Sequence, residues 1–192
     1  MKKNLLLIAL VSSVFAATGA NAMTKDEYSV AKEKISANYK VAKAKCDTMS
    51  GNAKDVCEKE AKGTENVAKA ELEQQYKPSA GHAKKVAEEK AEMTYEVAKE
   101  KCDDQTGNAK DVCVKDAKAA HVKAKEDAKV ARAQAKPADN MAKKVANVAE
   151  VKKDAAQDKR EAEYKAAKER CDAASGDAKD KCVADLKRVY NQ

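Results

Sequence analysis

The sequence predicts an all-α protein made of three tandem αα-hairpins, each clamped by a disulfide bond. Three observations support this prediction: a helix-forming composition, a cysteine motif that occurs three times, and two prolines that divide the chain. The 192 residues include no Trp, and 37% of them are charged. Because Ala, Lys and Glu favour helices but bury little apolar surface, the composition predicts long helices with a small core. We expect an elongated or loosely bundled arrangement.

The cysteine motif predicts a helix, a turn and a second helix in each copy. It consists of a Tyr, an Ala three residues later, a Cys seven residues after the Tyr, a Gly followed by Asn or Asp, and a second Cys eleven residues after the first. The copies are Tyr39-Ala42-Cys46…Gly51-Asn52…Cys57, Tyr95-Ala98-Cys102…Gly107-Asn108…Cys113 and Tyr164-Ala167-Cys171…Gly176-Asp177…Cys182. The Tyr, the Ala and the first Cys share one helix face, and we expect the Tyr to meet small residues of the second helix.

The glycine of each motif is expected to end the first helix, because glycine readily adopts the left-handed conformation found at helix C-termini. The residue after it, Asn52, Asn108 or Asp177, is of a type that caps helix N-termini. An Asp follows three residues later in each copy, close to a capping box. The second helix is therefore predicted to begin with this Asn or Asp as its N-cap.

Two prolines in matching surroundings mark the boundaries between the hairpins. Pro78 and Pro137 each follow a Lys, and proline disfavours helix both at its own position and at the residue before it. The predicted hairpin repeats are residues 23–77, 78–136 and 137–192. The third repeat has more residues before its first cysteine than the second, so its first helix is predicted to be longer.

Residues 1–22 are predicted to be a signal peptide. A lysine pair at 2–3 precedes an apolar run at 5–17, and the Ala-Asn-Ala sequence at 20–22 fits a cleavage site. Cleavage gives a mature chain that starts at Met23 and is periplasmic or secreted. The alternative is an uncleaved membrane anchor, but a spanning helix needs about 20 apolar residues and this run is shorter. No later stretch is expected to span a membrane.

Six regularly spaced cysteines in an exported chain indicate disulfide bonds rather than free thiols. The favoured pairing is local, because it closes the shortest loops and the turn brings the two helix ends together. It comprises Cys46–Cys57, Cys102–Cys113 and Cys171–Cys182. The alternative pairs cysteines of different hairpins, but three hairpins leave one pair over. A loop of this size contributes about 3 kcal/mol to stability when it is closed.

No catalytic, cofactor-binding or metal-binding residues are predicted. The two histidines, His82 and His121, do not recur among the repeats and have no partner at ligand spacing, so we interpret both as surface residues. An Asp two residues before each second cysteine opposes a reactive thiolate, which makes a redox role a distant alternative. The sequence has no phosphate-binding loop or nucleophile motif, and we do not expect an enzyme.

The charges predict a solvated helical surface. The 39 basic and 32 acidic residues are interleaved, and the formal net charge is +7. Opposite charges four residues apart stabilise a helix by about 0.2–0.5 kcal/mol per pair. Such pairs are Asp55–Lys59, Glu58–Lys62, Glu65–Lys69, Asp111–Lys115 and Glu161–Lys165. Nucleic acid is not an expected partner, because its binding requires a face of one sign.

Modules rich in Ala, Lys and Glu, such as residues 119–131, make up most of the mature chain. They resemble the long helical region of TolA, a proteobacterial envelope protein that spans the periplasm. The eleven-residue spacing of Tyr28 and Tyr39 is also similar to the helical repeats of late-embryogenesis-abundant stress proteins. The TolA-like resemblance implies an exported envelope-biogenesis protein, although the expected cleavable leader departs from TolA's anchor. Neither family requires cysteine hairpins.

The sequence thus predicts a non-enzymatic exported helical repeat protein with a structural or stress-protective role in the bacterial cell envelope. The alternative is a periplasmic binding module for a protein or an anionic envelope polymer, with lysine-rich stretches such as Lys84-Lys85 and Lys143-Lys144 as its contacts. A thiol redox protein is the distant alternative. The partner is expected to be an envelope protein or polymer of unknown identity, and the oligomeric state is left open.

Overall fold

A computed structural model describes residues 23–191, which form six helices and, within that range, no strand. The helices are α1 (Lys25–Cys46), α2 (Gly51–Tyr76), α3 (Ala80–Cys102), α4 (Gly107–Ala135), α5 (Met141–Cys171) and α6 (Gly176–Tyr190). They form three αα-hairpins, α1–α2, α3–α4 and α5–α6, as the sequence predicts. The predicted signal peptide, residues 1–22, lies outside the described residues.

The hairpins follow one another in a single layer. Each helix contacts only the helix before it and the helix after it in the chain. The terminal helices α1 and α6 therefore have one neighbour each, and the other four have two. Alanines and Leu72 form the buried apolar contacts between neighbouring helices, and the least exposed residues of the described range are Cys46, Cys102 and Cys171, at 0 or 1%. A narrow apolar contact between adjacent helices replaces a central core.

The three disulfide bonds have the predicted local pairing. The bonded Cα atoms are 5.5, 5.6 and 5.8 Å apart in the first, second and third hairpins. Each bond joins the last residue of the first helix to the second turn of the next helix. An ion pair of a Lys and an Asp closes each turn beside the bond. These pairs are Asp47–Lys54, Asp103–Lys110 and Asp172–Lys179.

The turns differ from the prediction in one respect. Gly51, Gly107 and Gly176 adopt the left-handed conformation, with φ values of 57°, 58° and 56°. Each glycine, however, is the first residue of the second helix, because the first helix already ends at its cysteine. The predicted N-cap role of the following Asn or Asp is therefore wrong, since that residue already lies inside the helix. The N-cap positions belong to Ser50, Thr106 and Ser175.

Both Lys-Pro segments lie between helices. In the first, the Ser79 side chain accepts a hydrogen bond from the backbone N–H of His82, which caps α3. In the second, the Asn140 side chain accepts one from the N–H of Lys143, which caps α5. These caps satisfy N–H groups that have no partner within the helix, so each helix starts at a defined residue after its proline.

The third hairpin depends most on its disulfide bond, because α6 has only 15 residues and contacts only α5. We expect Cys171→Ala/Cys182→Ala to lower the stability of that hairpin by about 2–4 kcal/mol and to abolish hydrogen-exchange protection in α6. The matched variant, Cys102→Ala/Cys113→Ala, should keep protection in α3 and α4, which have neighbours on both sides. Exchange measured helix by helix gives the comparison, and an unchanged α6 would contradict it.

Candidate functional site

The tyrosine seven residues before the first cysteine contacts the second helix in every hairpin. In the second and third hairpins its counterpart is an aromatic ring eight residues after the second cysteine. Tyr95 stacks on His121 with ring centroids 4.7 Å apart, and Tyr164 meets Tyr190 at 5.9 Å. The small residues predicted to face the tyrosine are thus replaced by an aromatic ring in the second and third hairpins.

In the first hairpin a charged group takes the place of this ring. The ammonium of Lys62 lies 5.2 Å from the ring centroid of Tyr39, a cation–π distance. Lys62 also donates to the carboxylate of Glu65, at 2.8 Å, and Lys69 donates to the same carboxylate at 2.6 Å. Glu65 is buried. Burial raises the pKa of its carboxyl, but the hydrogen bonds from the two lysines outweigh burial and hold the pKa below its ordinary value of 4.5.

The interpretation of His121 as a surface residue is wrong. Only 6% of this residue is exposed, because its ring lies between α4 and α3 against Tyr95. Its Nε2 lies 2.8 Å from the Glu92 carboxylate, and its buried Nδ1 has no hydrogen-bond partner. His82 differs: it is half-buried, and its Nδ1 lies 2.6 Å from the carbonyl oxygen of Lys77. Among residues 23–191, no group of His, Cys, Asp or Glu could hold a metal ion.

An open groove follows α4 between α3 and α5. Its volume is 530 Å³. Four lysines of α4 lie along it at helical spacing: Lys115, Lys118, Lys125 and Lys129. Four carboxylates line the same groove: Glu88, Glu126, Asp158 and Glu161. The groove therefore offers a mixed pattern of charge to a ligand rather than a field of one sign.

Many charged side chains connect helices instead of pairing along one helix. Of the five predicted pairs, Glu65–Lys69 and Glu161–Lys165 form ion pairs. Lys59 instead binds Glu96 and Glu100 of α3, at 3.0 and 3.4 Å. Ion pairs between helices therefore add to the helix interfaces, where the small alanine side chains bury little apolar area.

The contacts between successive hairpins form two joints: α2 on α3 is the first joint, and α4 on α5 is the second. In the first joint the Asn52 side chain donates to the backbone carbonyl of Glu100, at 2.9 Å. In the second, Asn108 donates to the carbonyl of Glu169, at 3.1 Å. Both carbonyls lie two residues before the first cysteine of the next hairpin, and each also accepts from the backbone N–H of the residue that follows this cysteine, Asp103 or Asp172. The motif's Asn is therefore a joint residue.

Two ion pairs occur at equivalent places in both joints. The first ion pair joins an acid three residues after the second cysteine of one hairpin to the basic residue immediately before the first cysteine of the next hairpin. This pair is Glu60–Lys101 in the first joint and Asp116–Arg170 in the second. The second ion pair joins an acid fourteen residues after the second cysteine of one hairpin to a lysine twelve residues before the first cysteine of the next hairpin. This pair is Glu71–Lys90 in the first joint and Asp127–Lys159 in the second. The joints therefore share one pattern of three polar contacts, counted from the cysteines.

The two helices of the first joint, α2 and α3, also approach each other closely at one point. A side-chain carbon at Gly63 of α2 would overlap the Cβ and Cγ atoms of Met93 in α3. Glycine lets the methionine pack directly on the α2 backbone. The cysteine motif alone did not reveal this contact, because neither residue belongs to it.

Comparison with protein-family models, with curated proteins and with solved structures found no match to this chain. None of the helices in residues 23–191 is long and apolar enough to cross a membrane. Among the three hairpins, the repeated residues form either the disulfide bond within a hairpin or the joint between two hairpins.

The hydrogen bond from Asn108 can be tested against its counterpart in the last hairpin. Asn108→Asp removes the donor and places a carboxylate against a carbonyl, so we expect the unfolding free energy to fall by about 1–3 kcal/mol. Asp177→Asn makes the reverse change in α6, which contacts only α5 within residues 23–191, and it should change stability by less than about 0.5 kcal/mol. Urea denaturation followed by circular dichroism measures both, and equal effects would contradict the joint.

The Glu65 ion pairs predict a pH-dependent contribution to stability. Because the pKa of Glu65 is lowered on folding, its contribution is present above pH 4.5 and is lost as the pH falls through the folded-state pKa. We expect Glu65→Gln to be less stable than the wild type at pH 7, with the difference shrinking as the pH falls below 4.5. Glu33→Gln, at an exposed position of α1, is the control. A difference between the wild type and Glu65→Gln that grows as the solution is acidified would contradict the assignment.

Proposed function

We propose that this chain is a non-enzymatic exported helical repeat protein with a structural or stress-protective role in the bacterial cell envelope. The observation that carries the proposal is the array itself: three disulfide-clamped hairpins joined in one layer by the same polar pattern. The disulfide bonds indicate an environment outside the cytoplasm. Export through the predicted signal peptide belongs to the proposal.

The array suits a spacer or scaffold that has to hold its shape without a large core. A helix of 26 residues, such as α2, is about 39 Å long, and neighbouring helices lie about 8–10 Å apart. Three hairpins side by side therefore form a slab about 50 Å wide. The covalent clamps persist when the helices separate under stress, so the hairpins can re-form locally once the stress ends.

The groove along α4 favours a second candidate, a binding module for a protein or an anionic envelope polymer. Lys84 and Lys85, proposed as contacts, both pair with glutamates of α3. Lys143 and Lys144 form no ion pair within the described residues, and Lys143 is exposed. A lysine-rich contact of this kind would use Lys143 and Lys144 at the start of α5, or the separate groove along α4.

A thiol redox role stays the distant alternative. The first cysteine of each bond is 0 or 1% exposed and the second is half-buried, and disulfide exchange requires attack on a sulfur atom. Burial of the first cysteine restricts attack to the second sulfur, which supports a structural use of the bonds.

Complementation of a strain that lacks the gene tests the structural proposal. We expect a variant with all six cysteines changed to Ser to fail in restoring resistance of the envelope to detergent and heat. The groove variant Lys118→Gln/Lys125→Gln keeps the clamps, and it should restore resistance fully. Both variants must be present in the envelope fraction at equal amounts, with Met23 as the first residue by mass spectrometry.

The opposite pattern, in which the groove variant fails and the cysteine variant works, would contradict the structural proposal. It would favour the binding module, which a salt-sensitive pull-down from envelope extracts would then test. Turnover in an insulin-reduction assay would instead favour the redox alternative.

A further inference from the structure

The outer edge of α1 is an uncovered helix face. Large exposed apolar side chains occur on none of α2, α3 and α4; among the described residues they lie on α1, in the turn after it, at the start of α5 and on α6. On α1 these are Val30 and Val41, which are 65% and 59% exposed. They lie eleven residues apart, which is close to three helical turns and places them on one face. Within residues 23–191, α2 is the only helix in contact with α1.

This edge repeats the chemistry of the faces that receive the preceding hairpin in the two joints. Lys34 lies twelve residues before Cys46, as Lys90 and Lys159 lie before their cysteines. Lys45 lies immediately before Cys46, at the position of Lys101 and Arg170. Both lysines of α1 are exposed, and neither forms an ion pair within residues 23–191.

The backbone of α1 completes the pattern. The carbonyl of Ala44, two residues before Cys46, corresponds to the Glu100 and Glu169 carbonyls that accept from Asn52 and Asn108. The edge of α1 therefore presents all three polar positions of a joint, without the hairpin that would fill them.

The other end of the array lacks the matching groups. The last hairpin has Asp177 at the place of the donating Asn, and a carboxylate cannot donate a hydrogen bond. Asp185 holds the first acidic position, but it pairs with Arg188 in its own helix. The α6 edge of a second copy thus lacks the donating Asn, and its acid at the first position is already paired within its own helix.

We propose that the outer edge of α1 is a docking surface for the second helix of another hairpin, presented by a partner chain. The docking hairpin is of the interior type, which means that it has the polar joint pattern of the first two hairpins. Such a hairpin carries an Asn five residues before its second cysteine and acids three and fourteen residues after it. The acids bind Lys45 and Lys34, the Asn donates to the Ala44 carbonyl, and the incoming helix covers the two valines. This docking depends on the joint pattern and not on the function proposed above.

A full-length chimera tests the surface with a donor of known structure. In it, residues 176–191 are replaced by the α4 sequence, residues 107–135, so the third disulfide bond is retained and the last hairpin gains the interior pattern. We expect head-to-tail association in sedimentation velocity at concentrations where the wild type shows none. Adding Lys34→Glu/Lys45→Glu to the chimera should weaken this association at least about tenfold, since two attractive ion pairs become repulsive.

Three outcomes would overturn the proposal. The first is a chimera that stays monomeric with native helicity and all three disulfide bonds. The second is association that the two lysine reversals leave unchanged. The third is self-association of the wild type that Lys34→Glu/Lys45→Glu abolishes, because α6 would then suffice as the donor and the interior pattern would not be required.

A second variant keeps the test decisive if the chimera misfolds. Placing a further copy of residues 78–136 before Met23 puts an interior hairpin next to α1 within one chain. We expect hydrogen-exchange protection of α1 to rise above that in the wild type, and the rise to vanish with Lys34→Glu/Lys45→Glu. Unchanged exchange in α1 would overturn the proposal by itself.

Discussion

The disulfide bond at the closed end of each hairpin is the constraint on which the other contacts depend. The bond fixes which turn of the second helix lies opposite which turn of the first. The small alanine side chains between the helices would not fix this register alone, because they allow one helix to shift along the other. With this register set, the tyrosine seven residues before the first cysteine reaches the aromatic ring eight residues after the second cysteine in the second and third hairpins. In the first hairpin it instead contacts Lys62, which lies five residues after the second cysteine.

The same register creates the joints. Because every hairpin has the same length at its closed end, an Asn in one turn falls beside the last helical turn of the next hairpin. Two ion pairs then recur at fixed distances along the sequence from the cysteines. Each exposed pair alone contributes little. Repetition of three polar contacts over a long, thin seam gives the joint its specificity, in the manner of repeat proteins whose units touch only their neighbours.

The hairpins, their helices and the local cysteine pairing could be predicted because their signals are local: helix-forming composition, a left-handed glycine and a pair of cysteines eleven residues apart. The joint role of Asn52, the burial of His121 and the contact of Gly63 with Met93 could not. They depend on which helix faces meet between residues 29–61 positions apart, and periodicity along one helix does not specify this. One signal was available, since Asp177 in the last copy departs from the Asn of the other two.

Mapping of the disulfide bonds by proteolysis without reduction, followed by mass spectrometry, tests the central claim most directly. The account predicts cross-linked peptides that join Cys46 to Cys57, Cys102 to Cys113 and Cys171 to Cys182 in the protein isolated from an oxidising compartment. A peptide that joins Cys46 to Cys102 or Cys113 would contradict it, because the register of the hairpins, and with it the pattern of both joints, would be lost.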